Sequence, residues 1–472
     1  MATDPHRDDE ENKAGRVPGR SDGGEDRGAG GSEHRLPGPK PIPQSGFALS
    51  GFKDVFRIRD FRLLFWGQSI SALGDWVGTL AFIAAASELA NGAPAAVVGV
   101  LIIRLVPSFF ATPIGGVLSD RWDRRRIMIW SDVVRFGVIL MTPFFAHLWA
   151  LYIFAFTHEC FSLVFLPARD ASVPNMVGSD HLEPANALVM GSSFAGIPLS
   201  GPVFALLGVA AGHYHLLGAN VLHKPYAFAF AFDAFTFLFS AAYIARVHVE
   251  SPKHRGDEVE PFWSSLKDGA RYIRGSRLHL GLAYAVSLGM LGGGVLFALG
   301  IGYVKQTLHG TEVQFGWLMG IFGGGMVAGF VVSQLKPERG VTWMIRGALL
   351  GMGSVLIFMA VFPALWIAYL MALVFGTSFS VSLILAMSLV QSNTPDEKRG
   401  RVMAFVHMLV RAALVFGGIA SGIVGQVFKK GIRVPLIHYH ADRYRIALAV
   451  AGALIAAGVG GVRSTERASE TG

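Results

Sequence analysis

Cysteine is nearly absent. The 472 residues contain one, Cys160, set inside an apolar run, so no disulfide framework exists and the redox compartment stays open. Charge is scarce as well: Asp, Glu, Lys and Arg make up 16% of the chain, far below the roughly 25% of a soluble globular protein. Catalytic signatures are missing too. There is no G-x-S-x-G elbow between a strand and a helix, no H-E-x-x-H helix and no G-x-x-x-x-G-K-[ST] loop, which argues against a hydrolase and an ATP-driven pump. The first stretch of roughly 45 residues lacks an apolar h-region, so it is not expected to be a secretory signal peptide.

What the chain does have is apolar length. Hydrophobic residues make up 52% of it and its mean hydropathy is +0.46, values that belong in a bilayer. Its 58 glycines suit helices that must approach closely where hydrophobic exclusion does not drive them together. A net charge of +8 could suggest nucleic acid, but the basic residues fall mainly in short loops beside apolar segments. Membrane topology explains them better.

A helix needs about 20 apolar residues to cross the roughly 30 Å hydrocarbon layer. That ruler predicts spans near Leu63–Ser87, Ala95–Leu118, Ile127–Ala146, Ala150–Ala171, Ala185–Gly212 and Tyr226–Val247. A second set lies near Leu278–Val304, Phe315–Leu335, Trp343–Val361, Ala364–Gln391, Val402–Phe428 and Tyr444–Val462. The expected organisation is a disordered cytoplasmic tail (1–50), a six-helix bundle (51–249), a basic cytoplasmic linker (250–277), a second six-helix bundle (278–463) and a short C-terminal tail (464–472). Within the first of these bundles, Phe52–Phe61 reads as a short helix at the membrane surface.

Lys and Arg resist translocation, so the loop with Arg121, Arg124, Arg125 and Arg126, the linker, and the loops with Lys336 and Arg339 and with Lys398, Arg399 and Arg401 are expected inside, with the N-terminus. One loop disagrees. Lys429, Lys430, Arg433, Arg443 and Arg445 precede the last span and should face out. A weak internal repeat, ASVPNMVGSDHLEPANAL after the fourth span and SLVQSNTPDEKRGRVMAF after the tenth, supports two related halves with a substrate path between them.

The run GGVLSDRWDRRRI carries Gly116, Asp120, Arg121, Arg124 and Arg125 in the spacing G-x-x-x-D-R-x-G-R-R, with Asp123 where many such sequences have Gly. This resembles the major facilitator superfamily. With FRLLFWGQSISALGDW, LPARDASVP and FDAFTFLFSA it looks most like the enterobactin-exporter-like and macrolide-efflux-like branch. The resemblance covers roughly Phe52 to Phe428 and implies an all-α polytopic protein with twelve transmembrane helices in two six-helix bundles. It also implies a conformational latch at that turn, with Asp120 set against a helix N-terminus of the other half, plausibly near Gly400; simple anchoring by the arginines is the alternative. In the fifth span Gly196, Gly201 and Pro202 resemble part of an antiporter Gly-Pro motif, although small-residue packing accounts for them as well.

Ionisable residues inside spans tend to face a cavity, because each costs about 2.5 to 3.5 kcal/mol at a helix centre. Gln68, Ser71, Asp75 and Thr79 share one face of the first span. The candidate proton-coupling carboxylates are Asp75, Glu159 and Asp233, with fixed structural ion pairs as the alternative; Gln68, Arg104, His407 and Arg411 are candidate cavity or counter-charge groups. No cofactor or metal is expected. The expected function is export of a small amphipathic molecule by alternating access with proton antiport. The setting is a monomer in the plasma membrane, with lipid and protons as partners and no nucleic acid. The alternatives are uptake or uniport of a metabolite and, from another class, a non-transporting sensor or lipid-handling protein.

Overall fold

The computed structural model describes residues 49–178, 181–213, 225–249, 262–335, 340–434 and 439–470. The expected N-terminal tail, the first part of the linker and the Lys336–Arg339 loop therefore lie outside the described residues. Among those described, eleven helices are long and apolar enough to cross a bilayer. They are α2 (Arg59–Leu89), α5 (Arg124–Met141), α6 (Leu148–Val177), α7 (Leu182–His213), α8 (Pro225–Ile244), α10 (Arg277–Gly302), α11 (Glu312–Gln334), α12 (Val341–Val361), α13 (Leu365–Ser392), α14 (Asp396–Val427) and α15 (Arg443–Glu470). The all-α polytopic architecture expected from the sequence is the one observed, with one two-stranded addition. Before α15, β1 (Ile432–Val434) and β2 (Tyr439–Ala441) form a small antiparallel ribbon pairing Ile432 with Ala441.

The remaining crossing is made in two pieces. The sequence predicts one helix from Ala95 to Leu118; the structure has α3 (Pro94–Leu105), a tight 3-10 turn over Val106–Phe109 and α4 (Ala111–Arg121). Pro107 sits in that turn, where its ring and missing N–H forbid a continuous α-helical ladder. The two pieces still span. With 31 residues, α2 is about 46 Å long at 1.5 Å per residue, and α3 starts just beyond its far end, after the Asn91–Gly92 turn. α4 ends beside the last turns of α6 and α8, because Arg124 donates to the Ala171 carbonyl at 2.7 Å and Arg125 to that of Ala245.

These contacts define two ends, one at Arg124 and one at Gly92. The disputed basic turn at 429–445 lies at the Gly92 end, where Tyr444 donates to the Gly92 carbonyl at 2.6 Å. Two of its arginines are engaged by backbone there: Arg443 donates to the Gly92 carbonyl, and Arg445 to the Ala360 and Val361 carbonyls at 2.7 and 3.1 Å, in the last turn of α12. Last-turn carbonyls have no partner within their own helix and carry negative partial charge. A helix terminus accounts for Arg445.

Two short helices flank the crossings. In α1 (Leu49–Arg57) Val55 is fully buried, packing into a core cluster with Phe61, Leu64, Met128 and Ile244. The described part of the basic linker is itself a helix, α9 (Phe262–Gly275), with Leu266 and Ile273 buried. It docks on α14: Asp268 accepts from Arg401 at 3.2 Å and from Arg271 at 2.8 Å.

Early and late crossings meet most extensively where α7 lies against α11. A Cβ added at Gly320 would collide with the Pro202 ring, one at Gly201 with the Gly320 nitrogen, and one at Gly323 with Pro198. Missing side chains let the two backbones touch. Gly201 and Pro202 thus serve helix packing, and their partner is the Gly316, Gly320 and Gly323 ladder of α11. Gly196 instead packs on α2, near the Ala72 carbonyl and Trp76.

Candidate functional site

A cavity of about 390 Å³ opens among α2, α3, α5, α6, α7, α10 and α14. Its early-span wall is polar and carries Asp75, Arg104, Arg135, Glu159 and Arg169; its late-span wall is apolar, with Met290, Phe297, Val410, Leu414 and Val415, and carries a single charge, Arg411.

The polar stripe predicted on α2 faces this cavity. Gln68 accepts from Arg169 at 3.3 Å, and Thr79 accepts from Arg104 at 2.8 Å. The Asp75 carboxylate lies 3.1 Å from His158 Nε2 and 3.7 Å from Arg135. His158 is buried, with only 1% of its side chain exposed, whereas 31% of the Asp75 side chain is. Asp75 is therefore the group through which the buried His158 meets the cavity.

Arg135 is shared. It bonds Asp132, one turn earlier on α5, donates to Ser162 at 3.3 Å and lies 4.3 and 4.8 Å from the Phe237 and Phe165 ring centroids. Ring faces favour a cation, so two carboxylates and two aromatics hold one guanidinium at the cavity floor. The sequence reading missed Asp132, Arg135 and Arg169. The signal was present: Asp132 and Arg135 stand three apart in IMIWSDVVRFGVILM, on one helical face.

The other predicted groups separate into three sets. Arg104 pairs with Glu159 at 3.0 Å, so those two candidates neutralise each other, and they line the same cavity as Asp75. Asp233, on α8, is buried, and its carboxyl is wedged against Gly74 and Gly78 of α2. Neither of its oxygens has a hydrogen-bond partner among the described residues. His407 and Arg411 both lie on α14, as their spacing implied. Arg411 is exposed in the cavity and donates to Ser108 at 2.7 Å, inside the 3-10 turn of the second crossing.

At the expected latch, Asp123 accepts from the Arg126 N–H at 2.7 Å and caps the N-terminus of α5. A carboxylate is favoured there by its hydrogen bond and by the helix dipole; this explains the departure from Gly. Arg124 binds the carbonyls of Ser119 and Ala171, Arg125 binds that of Ala245, Arg121 is exposed, and Gly116 has open space around it. The Asp120 side chain lies outside the described residues.

At the opposite end the Gly92 carbonyl accepts from Tyr444 at 2.6 Å, from Arg443 at 3.2 Å and from Gln306 at 3.5 Å. Gly92 holds φ +74 and the preceding Asn91 φ +50, a left-handed pair that glycine and asparagine tolerate best. The turn is shaped to present one carbonyl to three donors from the late crossings.

Residues 64–418 match the profile of the Major Facilitator Superfamily. YfiS, an uncharacterized MFS-type transporter of Bacillus subtilis (strain 168), is 25% identical over 402 residues, covering 79% of this chain and 89% of YfiS. The multidrug efflux pump Tap of Mycobacterium bovis is 23% identical over 382 residues, 76% of this chain and 85% of Tap. Among solved structures, a bacterial homolog of the human lysosomal transporter Spinster, in an inward-facing and occupied conformation, superposes with a TM-score of 0.67. It shares 12% identity, over 85% of this chain and 96% of that one.

Proposed function

The chain belongs to the Major Facilitator Superfamily, and from that premise we propose that it exports a small amphipathic molecule by alternating access, driven by protons moving inward. In this reading two six-helix bundles, 51–249 and 278–463, rock about the cavity and are joined by the linker 250–277. The protein acts as a monomer in the plasma membrane, and the Arg124 end and the N-terminus are cytoplasmic, as the positive-inside bias requires. The resemblance of the DRWDRRR turn supports a place in the enterobactin-exporter-like and macrolide-efflux-like branch. Similarity to the efflux pump Tap favours export.

The observation that carries the proposal is the position of Asp75, which lines the cavity while touching His158 and sharing Arg135 with Asp132. Protonating Asp75 hands Arg135 to Asp132, and losing the proton draws the guanidinium back. That exchange moves charge at the cavity wall each time a proton passes. A charge crossing the membrane gains about 2.3 kcal/mol per 100 mV, enough to drive uphill export of the cargo. Glu159 and Asp233 are the further carboxylates on the same route, and the Gly116–Arg125 turn, with Asp120, biases the inner gate. The Gly92 contacts close the outer one.

Accumulation of a lipophilic panel inside everted membrane vesicles, with and without an imposed acid-interior pH gradient, tests this reading. We expect gradient-driven flux, and in Asp75→Asn a loss of about tenfold or more, equivalent to about 1.4 kcal/mol, while gradient-independent counterflow persists. Accumulation of the panel inside intact cells would mark uptake. An absence of any flux would mark a non-transporting protein.

A further inference from the structure

Every arginine on the early-span wall of the cavity has a carboxylate: Arg104 has Glu159 at 3.0 Å, Arg135 has Asp132 and Asp75, and Arg169 has Asp170 at 2.8 Å. Arg411 has none among the described residues. Its guanidinium, close to the middle of α14, donates to Ser108 at 2.7 Å. A permanent cation inside a span is costly and persists where it serves a ligand or faces water, and a guanidinium offers five N–H donors in a fork that fits a carboxylate. One neutral hydroxyl leaves most of that capacity unused.

The surroundings are built for an anion as well. Ser108 Oγ accepts from Arg411, so its own proton is available to a second acceptor. Around Arg411 the late wall is otherwise apolar, with Met290, Phe297, Val410, Leu414 and Val415. Charge at one point and hydrocarbon around it describe a ligand with one anionic head and an apolar body.

We propose that Arg411 and Ser108 form the anion subsite of the cavity, so that the transported molecule is an amphipathic carboxylate whose acid group replaces part of the Arg411–Ser108 link. The idea rests on the exporter reading and narrows its substrate class. It also gives loading a mechanical result: when the acid takes the guanidinium, the direct polar tie between α14 and the broken second crossing loosens.

The test uses the full-length protein in everted vesicles and three probes of one scaffold: N-hexanoylphenylalanine, its neutral carboxamide and the corresponding cationic amine. Wild type should move the acid at least about tenfold faster than the amide, a ratio worth about 1.4 kcal/mol. Arg411→Gln should lose that preference and Arg411→Lys should keep part of it. Ser108→Ala should keep the preference for the acid while weakening it. Equal transport of acid and amide, or an acid preference that survives Arg411→Gln, overturns the subsite and leaves the exporter standing. If none of the three moves under any gradient, the exporter reading falls and the subsite falls with it.

Discussion

The two walls of the cavity are built on opposite principles. On the early-span side, charges are interlocked: Asp75, His158, Arg135 and Asp132 form one chain, and Arg104 and Glu159 another. On the late-span side, helices close upon glycine. Cβ atoms at Gly294 and Gly417 would strike the carbonyls of Leu414 and Leu291, and one at Gly325 would strike that of Leu373. One side stores electrostatic energy that a proton can redirect. The other has little polar content to redirect and offers surface instead. Under the proposed export, the contrast fits a division of labour, with coupling on the early side and recognition of cargo on the late side.

The sharpest way to break that division is Arg135→Ala. It leaves Asp132 buried without its cation, and removing one member of a buried pair costs about 3 to 5 kcal/mol. A large drop in the thermal midpoint of the purified protein is expected, partly restored in the double variant Asp132→Asn, Arg135→Gln. A midpoint unchanged in Arg135→Ala would mean that the charge chain carries no structural weight. Next in size is Gly320→Leu, which forces side-chain atoms into the space of Pro202. Overpacking of this kind costs about 1 to 3 kcal/mol, seen as lower yield and stability, with the proton dependence of any remaining flux intact.

Smaller still is Met290→Ala on the late wall. Losing most of a buried methionine contact should raise the half-saturating substrate concentration several-fold, about 1 kcal/mol, with no change in response to the pH gradient. A changed pH response would erase the proposed boundary between the walls. The mildest is Tyr444→Phe, which deletes one of three donors to the Gly92 carbonyl. One hydrogen bond contributes about 0.5 to 1.5 kcal/mol, so spin-label distances across the Gly92 end should show a severalfold shift in the populations of closed and open states.

Much of the fold was readable because hydrocarbon thickness imposes a length on each crossing. The break in the second crossing was also written in the sequence, as Pro107 between two apolar stretches, but overall hydropathy hides a local loss of hydrogen bonding. α9 was harder to see. Its lysines and arginines dominate the composition of the linker, while its two buried apolar residues, Leu266 and Ile273, recur only once per two turns. At the site, spacing placed Gln68, Asp75 and Thr79 on one face, yet spacing along one helix cannot say which helix that face meets. The pairing of Asp75 with His158, not with Arg104 or Arg411, is set by tertiary packing alone. Asp132 and Arg135 went unnoticed for a related reason: opposite charges one turn apart cancel in any count of net charge.

The contact of α7 with α11 has a mechanical corollary. Between Pro198 and Ala205 on one helix and Gly316 and Gly323 on the other, backbone rests on backbone or on a proline ring. A joint of that kind has few rotamers to rearrange when its two members tilt, and it leaves no gap for water or ions to slip through. In the proposed alternating-access cycle the seam would serve as a dry pivot, with the bundles swinging while the barrier to leakage along that line stays whole.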